Sequence, residues 1–357
     1  MLRDIVMSFY LILIFVACSC SKNTTPPPPP DVKVDTTSHN FVWQIDTLGP
    51  LTTTLNDIVF LTESEALAVG RLSFSDSLGQ SFSYGFARWK SSGWTFEQIE
   101  DEPGHSLIGA RGVWAIDETN IWFAAGSIFH QEGGAYAPLS WQRNLNSLDI
   151  AITIWGDSFQ NIYSVGAEGL LLFYSNSIWK EPDRLTNIRL TDVGGTPDSE
   201  AIWICGRKST GGASILLKGK EETWSIVWEQ GGINSNFYQG ELSSLWYCGN
   251  DSLIIVGGRQ IYWQNVMENS TPRQELFELE AFPNKVRGQA HNDLFIVGQR
   301  GMVWHFNGRT WRNYPELQNI DHEFVSVALK DERVIIVGQD YSQGVQRLVI
   351  VSGVRNN

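Results

Sequence analysis

The chain has 357 residues and a formal net charge of −13, with 15 tryptophans, 33 glycines and only four cysteines. An acidic balance of this size argues against a nucleic-acid-binding protein, whose electrostatic footprint is a basic surface. Four cysteines are too few for a disulfide scaffold, whereas abundant tryptophan and glycine favour many strands joined by turns. A chain of this length can fold as one all-β repeat unit.

The first predicted element is an N-terminal export signal. Residues 5–16 form an apolar run of signal-peptide length that is too short to span a bilayer comfortably. The run ends in FVAC at residues 15–18, which resembles the lipobox of bacterial lipoproteins, where a cysteine after small residues is acylated and becomes the mature N-terminus. The resemblance implies a signal peptide at residues 1–17 and lipidation of Cys18, with Cys20 as a poorer acceptor. The alternative is an ordinary cleaved secretory signal.

Residues 18–39 predict a lipidated tether. A polar stretch leads into prolines at residues 26–30, which form a passive polyproline II spacer of roughly 15 Å at about 3.1 Å per residue. Multiple acyl chains would hold such a protein firmly, since a single chain binds a bilayer only marginally. We therefore expect a protein of the Gram-negative cell envelope, anchored in the outer membrane through its lipid alone. Whether it faces the periplasm or the cell surface stays open, because no acidic run follows Cys18.

From residue 40 to residue 357 the sequence repeats a short apolar strand that ends in glycine. Successive marker glycines are separated by 56, 40, 40, 51, 41 and 40 residues. A period near 40 residues with four strands in each repeat is typical of β-propeller blades. The repeats therefore predict an all-β fold, a seven-bladed β-propeller of four-stranded antiparallel blades. The marker glycines are Gly70, Gly126, Gly166, Gly206, Gly257, Gly298 and Gly338.

Two positions in each repeat have an expected structural role. Each marker glycine should provide either a positive φ or a close approach of two backbones. A tryptophan near the start of the fourth strand predicts packing between blades rather than a ligand platform, since each ring can bury on the order of 200 Å². These tryptophans are Trp94, Trp141, Trp179, Trp224 and Trp311.

The last repeat lacks a fourth strand, and an N-terminal segment can supply it. After Gly338 the chain has one further strand and then ends, whereas residues 41–46 (FVWQID) look like the fourth strands of the other repeats. Pairing residues 41–46 with the C-terminal blade closes the ring. Closure removes sheet edges that would otherwise invite aggregation.

The repeat pattern resembles that of bacterial propeller lipoproteins and, more loosely, of BNR (Asp-box) and photosystem-assembly-factor propellers. Those families carry repeats of the form V-G-x-x-G-x-I followed by G-x-x-W. Here residues 165–170 (VGAEGL) with Trp179, and residues 297–302 (VGQRGM) with Trp311, match that form. The true Asp-box is not kept, because Trp304 and Phe306 stand where serine and aspartate belong. The resemblance implies a propeller over residues 40–353 and puts a sialidase assignment in doubt.

Motifs for common catalytic chemistry are absent from the sequence. It contains no phosphate-binding glycine loop, no H-E-x-x-H zinc motif, no G-x-S-x-G nucleophile elbow and no calcium loop. We therefore expect no cofactor and no metal, and we assign no catalytic residue. Cys205 and Cys248 form either a cross-blade disulfide or, as we favour, two buried free thiols.

Topology predicts which residues share one face of the propeller. In an antiparallel meander, the start of the first strand and the end of the second strand lie on the same face. Insertions at residues 72–81, 101–107, 231–242 and 339–344 fall there, and they bring Tyr238 and Tyr341 to that face. Seven arginines either follow marker glycines or open blades, namely Arg71, Arg111, Arg189, Arg207, Arg259, Arg287 and Arg300.

These seven arginines and two tyrosines are the candidate ligand-binding residues. Insertions that collect on one face of a repeat protein commonly mark its binding face, and arginine forks suit carboxylate, phosphate or sulfate groups. The alternative is that the arginines are solvated turn residues, or that they bridge blades through acids such as Asp57 and Asp192.

The sequence thus predicts a non-catalytic lipoprotein propeller that binds an envelope protein or an anionic glycan through one Arg-rich face. A monomer is favoured, although the oligomeric state stays open. One alternative is a glycan-active hydrolase or lyase, which would need a carboxylate, tyrosine or histidine with a perturbed pKa near the arginines. Another is a structural assembly factor that uses a flat apolar patch.

Overall fold

The computed structural model describes residues 36–356 with gaps at 49–52, 76–77, 79, 92, 99, 103–104, 107–108, 134–138, 144–149, 159, 198–199, 209–211, 269 and 345. The predicted signal peptide, the lipidation site Cys18 and the polyproline spacer lie outside the described residues. Within those residues, no helix is both long and apolar enough to cross a membrane.

The chain forms seven four-stranded antiparallel sheets, and each is a consecutive meander except the last, which takes its fourth strand from the N-terminus. Blade 1 contains β2 (Thr54–Thr62), β3 (Glu65–Ser75), β4 (Ser81–Lys90) and β5 (Gly93–Glu97). A short hairpin of β6 (Glu100–Glu102) and β7 (His105–Ser106) follows it. Blade 2 contains β8 (Gly112–Asp117), β9 (Asn120–Ala125), β10 (Ser127–Glu132) and β11 (Leu139–Arg143).

Blades 3 to 5 occupy the middle of the chain. Blade 3 contains β12 (Ala151–Ser158), β13 (Asn161–Gly166), β14 (Leu171–Ser175) and β15 (Ile178–Lys180). Blade 4 contains β16 (Leu190–Gly195), β17 (Ile202–Arg207), β18 (Ser214–Lys220) and β19 (Thr223–Glu229). Blade 5 contains β20 (Leu242–Tyr247), β21 (Ser252–Gly257), β22 (Gln260–Asn265) and β23 (Arg273–Gln274).

The last two blades complete the ring. Blade 6 contains β24 (Pro283–Ala290), β25 (Asp293–Gly298), β26 (Val303–Phe306) and β27 (Trp311–Asn313). Blade 7 contains β28 (His322–Lys330), β29 (Arg333–Asp340), β30 (Arg347–Arg355) and the N-terminal strand β1 (Phe41–Leu48). Within the described part of the chain, single-turn 3₁₀ helices lie at Ala167–Gly169, Pro315–Leu317 and Ser342–Gly344.

The predicted ring closure is confirmed. Strand β1 pairs antiparallel with β30 over eight residues, from Phe41 opposite Arg355 to Leu48 opposite Leu348. Its aromatic residues also pack on the neighbouring blade 6, because the ring of Trp43 lies 4.9 Å from that of Tyr314 and the ring of Phe41 lies 5.3 Å from that of Phe295. The N-terminal strand therefore completes blade 7 and also seals its contact with blade 6.

The fourth-strand tryptophans contact the preceding blade, as predicted from their fixed place in the repeat. The ring of Trp179 in blade 3 lies 5.7 Å from Trp122 in blade 2, and that of Trp224 in blade 4 lies 6.0 Å from Tyr163 in blade 3. Trp311 repeats this contact between blades 6 and 5. The side chain of Trp141 lies outside the described residues. Cys205 and Cys248 are both free and buried, which agrees with the favoured interpretation.

The marker glycines lie opposite a bulge in the innermost strand. In blade 3 the register of β12 against β13 shifts between Ala151 and Thr153, directly where Gly166 pairs with Ala151. A Cβ on Gly166 would lie inside the contact distance of the Ile150 carbonyl oxygen, so the close approach of backbones requires glycine there. Blade 2 differs, because it has no such bulge beside its marker Gly126, which instead has a positive φ of 81°.

The same bulge starts the innermost strand in blades 1 and 3 to 7. It sets a common register for the residues around the central channel. We call the face where the innermost strands begin the upper face, and the face where they end the lower face. By this register, three successive layers of side chains line the channel from the upper face to the lower face.

Candidate functional site

The middle layer of the channel is a polar plug built from the residue that follows each bulge. These residues are Asp57, Thr153, Asp192, Ser244, Lys285 and Ser326. All six are buried or nearly so. Buried polar groups need partners, and here most of the partners come from neighbouring blades.

Asp192 is the centre of the plug. Its carboxylate accepts hydrogen bonds from Ser244 Oγ at 2.5 Å and from the Leu245 amide at 3.2 Å, and it pairs with Lys285 Nζ at 3.2 Å and Arg287 Nη2 at 2.8 Å. Complete burial alone would raise the pKa of Asp192, but the neighbouring Arg287 and Lys285 hold that pKa well below its usual range. The carboxylate therefore stays ionised and joins blades 4, 5 and 6.

Asp57 joins three blades on the opposite side of the ring. It accepts a hydrogen bond from Ser326 Oγ in blade 7 at 2.6 Å and from the Val113 amide in blade 2 at 3.1 Å. The Thr153 hydroxyl continues the pattern by donating to the Thr191 carbonyl at 2.9 Å. The plug is thus a circumferential set of hydrogen bonds that links adjacent blades.

Above the plug, the channel opens into a cavity of about 270 Å³ on the upper face, which we call the upper cavity. Its rim includes the bulged residues of the innermost strands, such as Asn56, Thr191 and Asn284. Four basic side chains and two acidic ones line it, and these are Arg111, Arg189, Arg207, Lys285, Asp57 and Glu323. The upper cavity is therefore cationic in a chain whose net charge is −13.

The basic groups of the upper cavity differ in how they are neutralised. Lys285 is paired with Asp192, and Arg207 pairs with Glu241 at 3.2 Å while its guanidinium stacks over Phe282 at 4.7 Å. Among the described residues, no carboxylate lies within ion-pair distance of Arg111 or Arg189.

Arg189 lies close to two other positively charged side chains. Burial lowers the pKa of Arg189, and the positive charges of Arg111 and Arg207 lower it further. Three guanidinium groups therefore lie near one another, and two of them have no acid to neutralise them within the described residues. Such a cluster favours an anion, because charge-assisted bonds from arginine to carboxylate or phosphate are among the strongest hydrogen bonds in proteins.

The structure brings together three of the seven predicted arginines. Arg111, Arg189 and Arg207 line the upper cavity. Arg71, Arg259 and Arg300 are exposed on the upper face, but they do not line this cavity. Arg259 instead donates to the Leu279 carbonyl at 2.7 Å.

Two predicted positions need correction. Arg287 lies inside β24 rather than at the opening of its blade, and it binds Asp192 from below the plug, which is the interblade bridge considered as the alternative. Tyr238 is only 2% exposed, because it packs between Trp228 and Tyr262 and donates its hydroxyl hydrogen to Gln264. Tyr341 is exposed as expected, and burial together with the charge of Glu323 raises the pKa of its hydroxyl.

Sequence reasoning missed the remaining polar residues of the upper cavity. Lys285, Asn56, Asn284 and Glu323 all lie at the start of an innermost strand. Counting residues backward from the marker glycine does not locate these four residues, because the bulge adds one residue to the innermost strand. Aligning the seven innermost strands with one another, bulge included, is the signal that could have found them.

No three His, Cys, Asp or Glu side chains of the described chain lie close enough together to hold a metal ion. The arginine and lysine side chains that line the upper cavity offer hydrogen-bond donors and positive charge to a ligand.

No family model matches the chain, and no curated protein matches it in sequence. Solved structures of β-propellers do match its fold. A structure of YCF48 bound to D1 peptide has a TM-score of 0.65 and 13% identity, and covers 90% of this chain and 100% of that one. YCF48 from Cyanidioschyzon merolae has a TM-score of 0.59 and 13% identity, and covers 86% and 98% of the two chains.

The WD40 repeats of RRP9 are also similar, with a TM-score of 0.62 and 10% identity over 87% of this chain and 97% of that one. At these identities the similarity shows the fold alone. The resemblance to assembly-factor propellers is thereby confirmed at the level of the fold.

Proposed function

We propose that the protein is a non-catalytic binding propeller whose upper cavity receives an acidic segment of a protein partner. The observation that carries this proposal is the pair Arg111 and Arg189, two guanidinium groups at a channel mouth without an acid partner among the described residues. The cavity provides positive charge from several blades, so an extended acidic segment could contact more than one of them.

Peptide binding is compatible with this fold. The propeller YCF48, whose fold is similar, has been solved bound to D1 peptide. Residues 36–40 of the present chain contact lower-face turns, with Thr37 Oγ1 donating to the Asn292 carbonyl at 2.6 Å, so they leave the upper cavity uncovered. In this proposal the protein is a lipoprotein of a Gram-negative envelope, anchored through Cys18, and its partner is another envelope protein.

A glycan hydrolase or lyase is less well supported by the same cavity. Among the described residues that line it, the only carboxylates are those of Asp57 and Glu323. Asp57 is fully engaged by the Ser326 hydroxyl and two backbone amides, and Glu323 accepts a hydrogen bond from Asn284. Since general acid–base catalysis needs a group free to reach the substrate, no observation favours this alternative.

The proposal is tested by binding to arrays of acidic peptides and anionic glycans. We expect the wild-type protein to select acidic peptides, and the Arg111→Gln/Arg189→Gln variant to lose those signals. The matched control is Lys220→Gln/Arg309→Gln, which removes the same charge from exposed lower-face turns. Selection of anionic glycans alone would reassign the ligand class, and equal signals from both variants would refute the assigned site.

A further inference from the structure

The lower layer of the channel differs from the other two because it is aromatic. Two residues beyond the plug position, the innermost strands of six blades carry Val59, Trp155, Gly194, Trp246, Arg287 and Ala328. Blade 2, which lacks the bulge, adds Trp114, whose ring contacts those of Trp155 and Trp246. Three of seven blades thus place a tryptophan at the same height around one axis. Many kinds of side chain could fill this layer of a propeller. The concentration of three large aromatic rings here therefore needs an additional explanation.

Two of these rings, Trp114 and Trp246, border a second cavity, of about 210 Å³, which opens on the lower face and which we call the lower cavity. The polar plug separates it from the upper cavity, and Asp57 is shared by the linings of both. A volume of this size is below the usual range for drug-sized ligands but accommodates a single ring system. The lower cavity is therefore a distinct site with its own opening.

Two tryptophans that contact each other form part of the wall of the lower cavity. The rings of Trp114 in blade 2 and Trp246 in blade 5 have centroids 6.4 Å apart at an interplanar angle of 50°, and both are only half-buried. The ring of Trp155 supports Trp114 from behind at 6.1 Å. The Arg287 guanidinium lies 5.3 Å from the centroid of Trp246 and holds that ring in place.

The rest of the lining selects against a strongly polar ligand. Apart from Asp57, Arg287 and Lys330, the lining is made of aliphatic and aromatic residues and glycine. A sugar would find few polar side chains there to orient its hydroxyl groups. An apolar ring would instead bury its surface and stack on tryptophan, because aromatic pairs gain beyond area burial.

The charged residues that line the lower cavity indicate which polar group a bound aromatic ring should carry. Asp57 and Arg287 are already satisfied within the plug. Lys330 is exposed at the opening of the lower cavity, and no carboxylate of the described residues lies within ion-pair distance of it. An ammonium group at the edge of an apolar cavity complements a carboxylate attached to a buried ring.

We infer that the lower cavity binds a small aromatic carboxylate, with its ring stacked against the accessible faces of Trp114 and Trp246 and its carboxylate on Lys330. This inference is independent of the upper cavity. Trp114 and Trp246 belong to blades 2 and 5, which are not neighbours, so their contact is not the packing between adjacent blades that the fourth-strand tryptophans provide. Both rings are only half-buried, which leaves part of their surface accessible to a ligand.

The test is calorimetric titration with indole-3-acetate as the probe and its uncharged analogue indole-3-acetamide as the comparison. We expect saturable binding of the acid with a Kd of about 1 mM or tighter. Lys330→Gln should remove most of the preference for the acid over the amide, whereas Lys90→Gln, an exposed charge outside the cavity, should leave that preference unchanged. Trp114→Leu should weaken both ligands by about tenfold.

Because Lys330 is exposed, its variant stays informative even if Trp114→Leu fails to fold. Failure of the wild-type protein to bind indole-3-acetate would overturn the inference. It would also be overturned if binding occurred with equal affinity for the acid and the amide, or if Lys330→Gln retained the full preference for the acid.

Discussion

Arg287 in blade 6 binds Asp192 in blade 4 through two nitrogen–oxygen contacts of 2.8 and 2.9 Å, and the pair spans the innermost strand of blade 5. Lys285, two residues before Arg287, pairs with the same carboxylate at 3.2 Å. The carboxylate is fully buried and the Arg287 side chain is only 14% exposed, so the contact between them is largely shielded from water. It is the point at which three blades depend on one carboxylate.

Replacing Asp192 with asparagine should therefore destabilise the propeller strongly. The change removes one charge and leaves Arg287 and Lys285 buried without it, and breaking a buried ion pair from one side typically costs about 3–5 kcal/mol. Urea denaturation measures the change in the free energy of unfolding. Asp183→Asn, at an exposed position between blades 3 and 4, serves as the control and should be nearly neutral. Equal midpoints for the two variants would show that the plug does not support the ring.

The free energy of unfolding should decrease as the pH is lowered, because His39, just before strand β1, forms a hydrogen-bonded pair with His305. His39 Nδ1 lies 2.7 Å from His305 Nδ1, and His305 Nε2 lies 2.9 Å from Asp293. Ionised Asp293 requires the hydrogen of His305 to lie on Nε2, so His305 Nδ1 accepts a hydrogen bond that His39 Nδ1–H donates. Burial lowers the pKa of His39 to about 4, and the neighbouring His305, Arg312 and Arg355 contribute to that shift.

A histidine with a lowered pKa in the folded state binds protons better when unfolded, so its contribution to stability is complete above pH 6.5 and is lost as the pH falls toward about 4. Urea midpoints measured at several pH values across this window should decline. His39→Ala should decline less steeply, and His291→Gln, at an exposed turn, should follow the wild-type protein. A His39→Ala slope identical to that of the wild type would contradict this role.

Alanine at a marker glycine should be much more damaging than alanine at a glycine elsewhere in an innermost strand. Gly166→Ala would press a Cβ against the Ile150 carbonyl oxygen, which is rigid backbone, and should cost about 3 kcal/mol. At Gly194 an added Cβ would approach only the mobile end of Leu245, at 3.3 Å, and the cost should stay below about 1 kcal/mol. Thermal melting of the two variants provides the comparison. A larger loss at Gly194 would show that the bulge can relax.

Removal of the closing strand should open the ring. Deletion of residues 40–47 takes away nearly all of β1, exposes the edge of β30 and uncovers Tyr314 and Phe295. We expect a lower melting temperature and oligomers on size-exclusion chromatography, since an exposed edge invites pairing between chains. A chain starting at residue 36 is the control and should remain folded. An unchanged melting curve after the deletion would remove the closure argument.

The fold could be predicted from the sequence because propeller blades repeat. Seven marker glycines predict the number of blades, and the tryptophan-containing segment at residues 41–46 predicts the closing strand, which pairs with β30. Both signals depend on local sequence alone. The site depends instead on the register of the innermost strands, which a bulge shifts by one residue in six blades.

The bulge accounts for the corrected position of Arg287, and side-chain packing accounts for that of Tyr238. Arg287 looked like a residue at a blade opening, but the bulge at the start of β24 places Lys285 at the plug and Arg287 below it. Tyr238 lies in an insertion, yet an apolar pocket between Trp228 and Tyr262 buries it. Neither outcome follows from spacing, because each depends on the three-dimensional neighbours of the side chain.

The central claim is that Arg111 and Arg189 form the anion-binding part of the upper cavity. Its most direct test is a fluorescence-anisotropy titration of a labelled hexaglutamate peptide at low salt. The account predicts that Arg111→Gln/Arg189→Gln weakens binding by about tenfold or more, while the charge-matched Lys220→Gln/Arg309→Gln variant binds like the wild-type protein. Equal weakening by both double variants would show that the peptide responds only to net charge, and the claim would be contradicted.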